Sequence, residues 1–240
     1  MTNEEFITKL QELNLSFNNE MLSQLEQYAD FLMEYNKHTN LTAIKDKKDI
    51  YCKHFYDSLT LVKATNLNEA QNLMDFGTGA GFPGVVLKIF FPGLEVTLVD
   101  SNNKKTNFLN ELTKKLGLAK VHIINDRVEN LWSKYLNSYD IVTARAVSNM
   151  TVLTELAMPL VKKGGYFIAL KGSNKEEITE SLYAITKMGG KLEDTFSFDL
   201  FKDYGGRNIL KIKKDQESKF DNLRSYDKII KKPLKNKNNN

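Results

Sequence analysis

N-L-M-D-F-G-T-G-A-G-F-P-G, Asn72 to Gly84, is where the chain changes character. A short apolar run ends in Asp75, four glycines fall between Gly77 and Gly84, and an amphipathic run follows at once. Gly77, Gly79 and Gly81 can take positive φ or let a ligand approach the main chain. Pro83 suits the first turn of a helix, where a missing N–H costs nothing. Strand, glycine loop and helix in that order make a nucleotide-type cofactor site at the carboxyl end of a parallel strand.

Downstream, short strands alternate with helices. Strands are expected at Asn72–Phe76, Leu94–Val99, Lys120–Ile124, Asp140–Ala144, Tyr166–Leu170, Lys191–Phe198 and Asn208–Lys213. Between them, helices are expected at about Pro83–Phe91, Ser101–Leu116, Val128–Leu136, Met150–Val161 and Lys175–Met188, with Gly164-Gly165 as punctuation. Repeated βα units imply a parallel sheet with right-handed crossovers and helices on both faces. The last two strands lack a helix between them, which predicts an antiparallel pair at one edge.

Upstream, residues 1–76 contain neither Gly nor Pro and read as helical up to about residue 64. Phe6, Leu10 and Leu13 share one face, as do Leu22, Leu25, Ala29, Leu32 and Asn36. A third helix, Asp49–Val62, places Tyr51, Phe55, Ser58, Leu59 and Val62 along one side. Between the last two lies N-K-H-T-N-L-T-A-I, Asn36–Ile44, a loop because Asn and Thr compete for backbone hydrogen bonds. Three regions result: a helical extension at 1–66, a doubly wound α/β domain at 67–215 and a basic tail at 216–240.

With 41% hydrophobic and 10% aromatic residues, the 240-residue chain can bury one sizeable core. No apolar run approaches the ~20 residues of a bilayer span. Asn3, Glu4 and Glu5 before Phe6 do not resemble a secretory signal. Cys52 is the single cysteine and the three histidines are scattered, so neither a disulfide nor a metal site is expected. These features point to a soluble cytoplasmic protein. The net charge is +4, and from Lys219 to Asn240 seven Lys/Arg face only Asp221 and Asp227. Such a tail is either a solvated end or an arm that neutralises phosphates.

Glycine spacing alone identifies a cofactor poorly, since turns and helix caps also use glycine. Its surroundings narrow the choice: Asp100 ends the next strand 23 positions beyond Gly77, where a carboxylate can accept hydrogen bonds from a ribose diol. Nicotinamide or flavin dinucleotides and S-adenosylmethionine both meet these requirements. A pyrophosphate wants free amides and no carboxylate nearby, whereas a methionine moiety with its ammonium and sulfonium tolerates Asp75. The balance tilts to the methyl donor and leaves a nicotinamide-linked oxidoreductase, or a binding module without catalysis, as alternatives.

D-F-G-T-G-A-G-F-P-G, Asp75 to Gly84, resembles the cofactor loop of the bacterial 16S ribosomal RNA guanine-N7 methyltransferases, the family also called glucose-inhibited division protein B. The resemblance continues through N-K-H-T-N-L-T at 36–42, K-H-F-Y-D-S at 53–58, L-V-D-S-N-N-K-K at 98–105 and R-V-E at 127–129. It goes on through A-R-A-V at 144–147, L-K-G at 170–172 and G-R-N-I-L at 206–210, and more loosely K-K-P-L-K-N-K in the tail. Asn208 departs from it, since histidine is expected beside that arginine. The resemblance implies a Rossmann-like class I methyltransferase with a mostly parallel seven-stranded sheet and S-adenosyl-L-methionine as cofactor. It also implies that the substrate is a guanine N7 in the 530-loop region of 16S ribosomal RNA, in the small ribosomal subunit or its precursor; the chain is expected to act as a monomer. A methyltransferase of another substrate class is the alternative.

By the same resemblance, Asp75, Gly77, Gly79, Gly81 and Phe82 form the cofactor pocket, and Asp100 holds the ribose with Ser101 and Asn102 alongside. Val128 and Glu129 flank the adenine, and Arg145 reaches toward cofactor or substrate. Lys104, Lys105, Arg127, Lys171 and Arg207 are expected on an RNA-facing rim with Arg145. His54 and Asp57, three apart on one predicted helix, fall on the substrate side, with Asn36 and Asn40 as secondary candidates. Taken singly, several have plainer readings: Glu129 as a solvated helix-start charge, Val128 as core, Phe82 as packing, Cys52 as a small buried side chain. Arg145 is harder to dismiss, because a charge after I-V-T-A at a strand's carboxyl end sits where ligands bind. Guanine N7 carries a lone pair at neutral pH and needs no general base. The chain accordingly offers no Ser-His-Asp arrangement, nor the Asn/Asp-Pro-Pro-aromatic tetrapeptide of amino-group methyltransferases.

Overall fold

A computed structural model describes residues 1–44, 46–145, 148–202 and 204–235. Ala146 and Val147 of the A-R-A-V motif, and the tail from residue 236 onward, lie outside the described residues.

Seven strands form one sheet: β1 (Asn72–Phe76), β2 (Glu95–Asp100), β3 (Val121–Asn125), β4 (Tyr139–Arg145), β5 (Val161–Gly172), β6 (Gly190–Asp199) and β7 (Gly206–Lys214). Their order is β3-β2-β1-β4-β5-β7-β6. The first five pair in parallel, and β7 runs antiparallel to both β5 and β6. The doubly wound α/β sheet with its antiparallel edge pair is therefore the fold. Consecutive strand residues enter different apolar clusters: Leu73, Leu98, Ile141 and Ile168 one, Met74, Val99, Val142 and Phe167 the other. A sheet buried on both faces demands such unbroken apolar runs, which is why the strands were readable.

Helix α1 (Asn3–Glu12) opens on a capping box between Thr2 and Glu5, and α2 (Asn19–Thr39) is capped by the Asn18 side chain. Their buried residues, Phe6, Leu10, Leu25, Tyr28 and Leu32, join the cluster that covers the Leu73 face of the sheet. Residues 1–66 thus share the core of the α/β domain. No helix among the described residues is long and apolar enough to cross a membrane.

Five local expectations are corrected. The loop expected from Asn36 starts later, because α2 runs to Thr39 and Asn40 ends it in the left-handed conformation (φ 52°, ψ 46°) that Asn tolerates. The third helix is not one α-helix: Lys47–Asp49 and Asp57–Leu59 are α-helical, Ile50–Tyr56 is π-helical and Thr60–Lys63 is 3-10. The Val128–Leu136 helix is a 3-10 turn, Val128–Leu131, followed by a short helix, Trp132–Tyr135. The helix from Met150 stops at Ala157, and Val161 already belongs to β5, which runs through Gly164-Gly165. A Cβ on Gly165 would lie 2.6 Å from the Asp140 carbonyl, so this glycine permits close strand approach at the β4–β5 register shift. Pro83 precedes the helix Gly84–Phe90 as its N-cap residue, after a cis Phe82–Pro83 bond, where a first-turn position was expected.

Part of the tail is folded as well. It forms a 3-10 turn, Phe220–Asn222, and a helix, Tyr226–Lys231, whose Ile229 is buried in the second cluster.

Candidate active site

β1 delivers the chain to Gly77 at the point where the strand order reverses between β2 and β4, the place an open α/β sheet leaves a crevice. Gly81 has φ +101°, and a Cβ there would lie 2.6 Å from Val85 and 2.7 Å from the Tyr28 hydroxyl, so conformation and packing both require glycine. Asp75 organises the loop from beneath. Its Oδ2 accepts from the Thr78 hydroxyl (2.6 Å) and from the N–H of Gly84 (2.8 Å), the first residue of the next helix. Its Oδ1 has no partner among the described residues. Complete burial pushes its carboxyl up to about 7, against the opposing hydrogen bonds from Thr78 and Gly84.

Two cavities open at the carboxyl ends of the strands. The first, of about 390 Å³, is lined by Gly77, Asp100, Ser101, Val128, Glu129 and Arg145, all expected at the cofactor. Asp100 is nearly buried and accepts from the N–H groups of Gly79 and Asn102, each at 2.9 Å, and from Lys105 Nζ at 3.3 Å. A carboxylate has about four lone-pair sites, so acceptor capacity remains for a hydroxyl. Asp75, Gly79, Gly81, Phe82 and Asn102 do not line this cavity. Gly79 and Asn102 act on it through Asp100, which accepts from both N–H groups, and Asn102 also caps the helix Asn103–Lys115 through the Lys104 N–H. Lys105 and Arg127, expected on the RNA-facing rim near the cofactor mouth, line the first cavity. The helix from Asn103 carries Lys105 back over the end of β2, and Arg127 lies 3.7 Å from Glu129. Lys104 is exposed and lines neither cavity.

The second cavity, of about 660 Å³, is lined by Lys53, His54, Asp57, Arg145, Lys171 and Arg207, with Glu177 at its edge. Arg145 lines both cavities. Its Nη1 donates to Asp57 Oδ2 and to the Lys53 carbonyl, each at 3.0 Å, and its Nη2 donates to His54 Nδ1 at 3.1 Å. Arg207 Nε holds the other oxygen of Asp57 at 2.9 Å. The π-helical segment makes this possible, because the Asp57 N–H reaches past Lys53 to the Cys52 carbonyl. Since a guanidinium only donates, His54 Nδ1 must accept, and the ring proton sits on Nε2, facing the Thr42 hydroxyl at 3.1 Å. Burial and the Arg145 charge push His54 down to about 3, so the ring is neutral. Asn36 holds Thr42 through two hydrogen bonds, of 2.8 and 3.0 Å. Phe82 stacks with both His54 (4.2 Å between centroids) and Tyr28 (5.3 Å).

Lys171 Nζ is held by the Ser148 carbonyl and Glu177, each at 2.7 Å. Asn208 lies outside both cavities: it accepts from the Ser197 hydroxyl and donates to the Gly172 carbonyl, tying β6, β7 and β5 together. Burial pushes the Cys52 thiol up to about 11, which makes it inert. Among the described residues, no group of three His, Cys, Asp or Glu side chains could hold a metal ion.

A family model described as GidB, rRNA small subunit methyltransferase G, matches residues 21–203. The chain belongs to that family. The methyltransferase G of Staphylococcus epidermidis is 46% identical over 212 residues, covering 88% of this chain and 89% of the relative. That of Bacillus subtilis is 45% identical over 217 residues, covering 89% and 91%. Among solved structures, a precorrin-6Y C5,15-methyltransferase from Geobacter metallireducens superposes with a TM-score of 0.54 at 14% identity, covering 67% of this chain and 88% of that one. TYW2 of M. jannaschii in complex with AdoMet gives 0.50 at 18% identity, covering 61% and 70%. These two share the fold. Membership of a methyltransferase family sets aside the nicotinamide reading. The methyltransferase G match spans Asp57, Asp100 and Arg145, and Arg207 lies beyond it.

Asp126, Leu156 and Tyr226, which line the first cavity, and Tyr28 were not singled out from sequence. Tyr28 carried a signal, since it falls three residues after Leu25 and four before Leu32 on the buried face of α2. Tyr226 carried none, because nothing in a basic tail indicates which strand end it will reach.

Proposed function

We propose that this protein transfers the methyl group of S-adenosyl-L-methionine to N7 of a guanine in the 530-loop region of 16S ribosomal RNA. Its substrate is the small ribosomal subunit or its precursor, and it works as a monomer in the cytoplasm. The observation that carries this reading is Arg145, which lines both cavities, so a donor in the first and a base in the second meet across one side chain.

In the first cavity Asp100 accepts from the ribose hydroxyls, Val128 and Leu156 provide apolar surface for the adenine, and the bare Gly77 backbone admits the methionine end. The bound sulfonium supplies an electrophilic methyl group for in-line displacement. The residues around it have only to position the base and exclude water. N7 brings its own lone pair, so no proton leaves the nucleophile. His54 fits that chemistry: it is neutral, engages Arg145 through Nδ1, and acts as a positioning group. Alkylation leaves a positive charge on the base, and Asp57 and Glu177 are the carboxylates lining the second cavity. Lys53, Lys171 and Arg207 give that cavity its positive charge toward RNA phosphates. A base in a single-stranded loop presents N7 without opening a duplex.

The test is transfer of a labelled methyl group to small subunits lacking the modification, with mass mapping of the product nucleotide. The expected product is N7-methylguanine in the 530 loop. No transfer to such subunits, with transfer to a small molecule instead, overturns the reading.

A further inference from the structure

We infer that the C-terminal segment 215–235 completes the cofactor pocket, with Tyr226 as an aromatic wall for the adenine; this rests on the assignment of the first cavity to S-adenosylmethionine. The segment lies beyond the family match, which ends at residue 203.

Tyr226 lines the first cavity together with Val128, Leu156 and Val99, and the Arg127 guanidinium lies over its ring, 5.0 Å from the centroid. A purine is planar and apolar on its faces. The three aliphatic side chains, Phe76 at the end of β1 and the Tyr226 ring form the apolar part of a cavity otherwise lined mainly by charged groups. A tyrosine ring in that position adds stacking surface, and the cation on the ring fixes its orientation.

The segment is clamped on both sides of Tyr226. Before it, buried Lys214 Nζ donates to the carbonyls of Met158 (2.8 Å) and Met188 (3.2 Å) and to the Ser218 hydroxyl. Asn137 brackets the Ser218 main chain with bonds of 3.0 and 2.9 Å. Two residues before Tyr226, Arg224 grips Glu155 through Nε at 2.8 Å and Nη2 at 2.6 Å, and the Leu234 N–H donates to the same carboxylate at 3.0 Å. Glu155 is 2% exposed, so it needs these partners, and it adjoins the cavity residue Leu156. After Tyr226, Ile229 is buried in the core. A ligand that binds only the pocket with this segment in place must stabilise that docked state by mass action.

The full-length chain tests this in two measurements. In calorimetry with S-adenosylhomocysteine, Tyr226→Ala is expected to weaken binding roughly tenfold, the scale of one base–aromatic stack. Tyr226→Phe, which keeps the ring, is expected to bind as the wild type does. In the second measurement, limited trypsin digestion of the wild type reads cleavage after the exposed Lys228 and Lys231. Saturating S-adenosylhomocysteine is expected to slow that cleavage several-fold. Unchanged affinity in Tyr226→Ala, or an unchanged cleavage rate with ligand bound, overturns the inference while leaving the cofactor assignment intact. A wild type that binds no S-adenosylhomocysteine overturns both.

Discussion

Replacing Asp57 with Asn keeps the side chain's volume and removes the negative charge that two guanidiniums share. Asp57 is 5% exposed and lies 3.0 Å from Arg145 and 2.9 Å from Arg207. Removing one partner of a buried ion pair costs about 3–5 kcal/mol, because the remaining charge is left uncompensated. Both arginines keep other acceptors: Arg145 the Lys53 carbonyl and His54, Arg207 the carbonyls of Tyr204 and Gly206. Arg207 is also 23% exposed, so water offsets part of its loss. The expected destabilisation is therefore at the low end, about 3 kcal/mol. Urea unfolding reads this as a midpoint lower by on the order of 1 M. Because Asp57 lines only the second cavity, methyl transfer to RNA is expected to fall much more than affinity for S-adenosylhomocysteine. A loss below about 0.5 kcal/mol, the scale of an ordinary surface substitution, would refute the shared-carboxylate account. Full transfer activity in a destabilised variant would refute the positioning role.

Asp75 has a folded pKa of about 7, raised by burial above the unfolded value near 4. Its contribution to stability is thus fully present below about 4 and is lost as pH rises through 7. Against Asp75→Asn, which does not titrate, the wild type is expected to lose stability in urea melts between about pH 4 and 7; parallel profiles would contradict this. Gly84→Ala puts a Cβ into the buried Leu98 side chain and 2.9 Å from the pinned Asp75 Oδ2. A cost of about 1–3 kcal/mol is expected in thermal unfolding, and an unchanged Tm would show that the helix can shift freely. Asp100→Ala removes a charged acceptor and is expected to weaken S-adenosylhomocysteine binding by about tenfold or more. Arg207→Ala is expected to spare that affinity and lower RNA turnover; equal losses of affinity in the two variants would dissolve the division between the cavities.

β1 was legible to the residue, Asn72–Phe76, because a strand buried on both faces is an apolar run and the glycines punctuate its end. The placement of Arg145 was legible for a related reason: a charge closing such a run has to emerge at the carboxyl ends of the strands. Its partners were not. Asp57 lies 88 residues from Arg145 and 150 from Arg207, and no local pattern encodes which charges will meet. Lys105 and Arg127 illustrate the same limit. A sequence reveals their positive charge but not that Lys105 meets Asp100 and Arg127 meets Glu129 at the first cavity. The π-helical segment escaped because the 3.6-residue periodicity of Tyr51, Phe55, Ser58 and Leu59 barely changes over one widened turn.

That widened turn makes the site sensitive to chain length as well as to chemistry. Each residue advances an α-helix by about 100°. Deleting one residue within Ile50–Tyr56 could return the segment to regular α-helix and would even shorten a costly turn. It would also remove the wide turn in which the Asp57 N–H reaches the Cys52 carbonyl, and with it the local spacing that sets the Lys53 carbonyl, His54 and Asp57 on one guanidinium. Substitutions here can be graded, but the reading frame of the helix cannot. The N-terminal helices therefore act as a gauge block whose length sets where the arginine points.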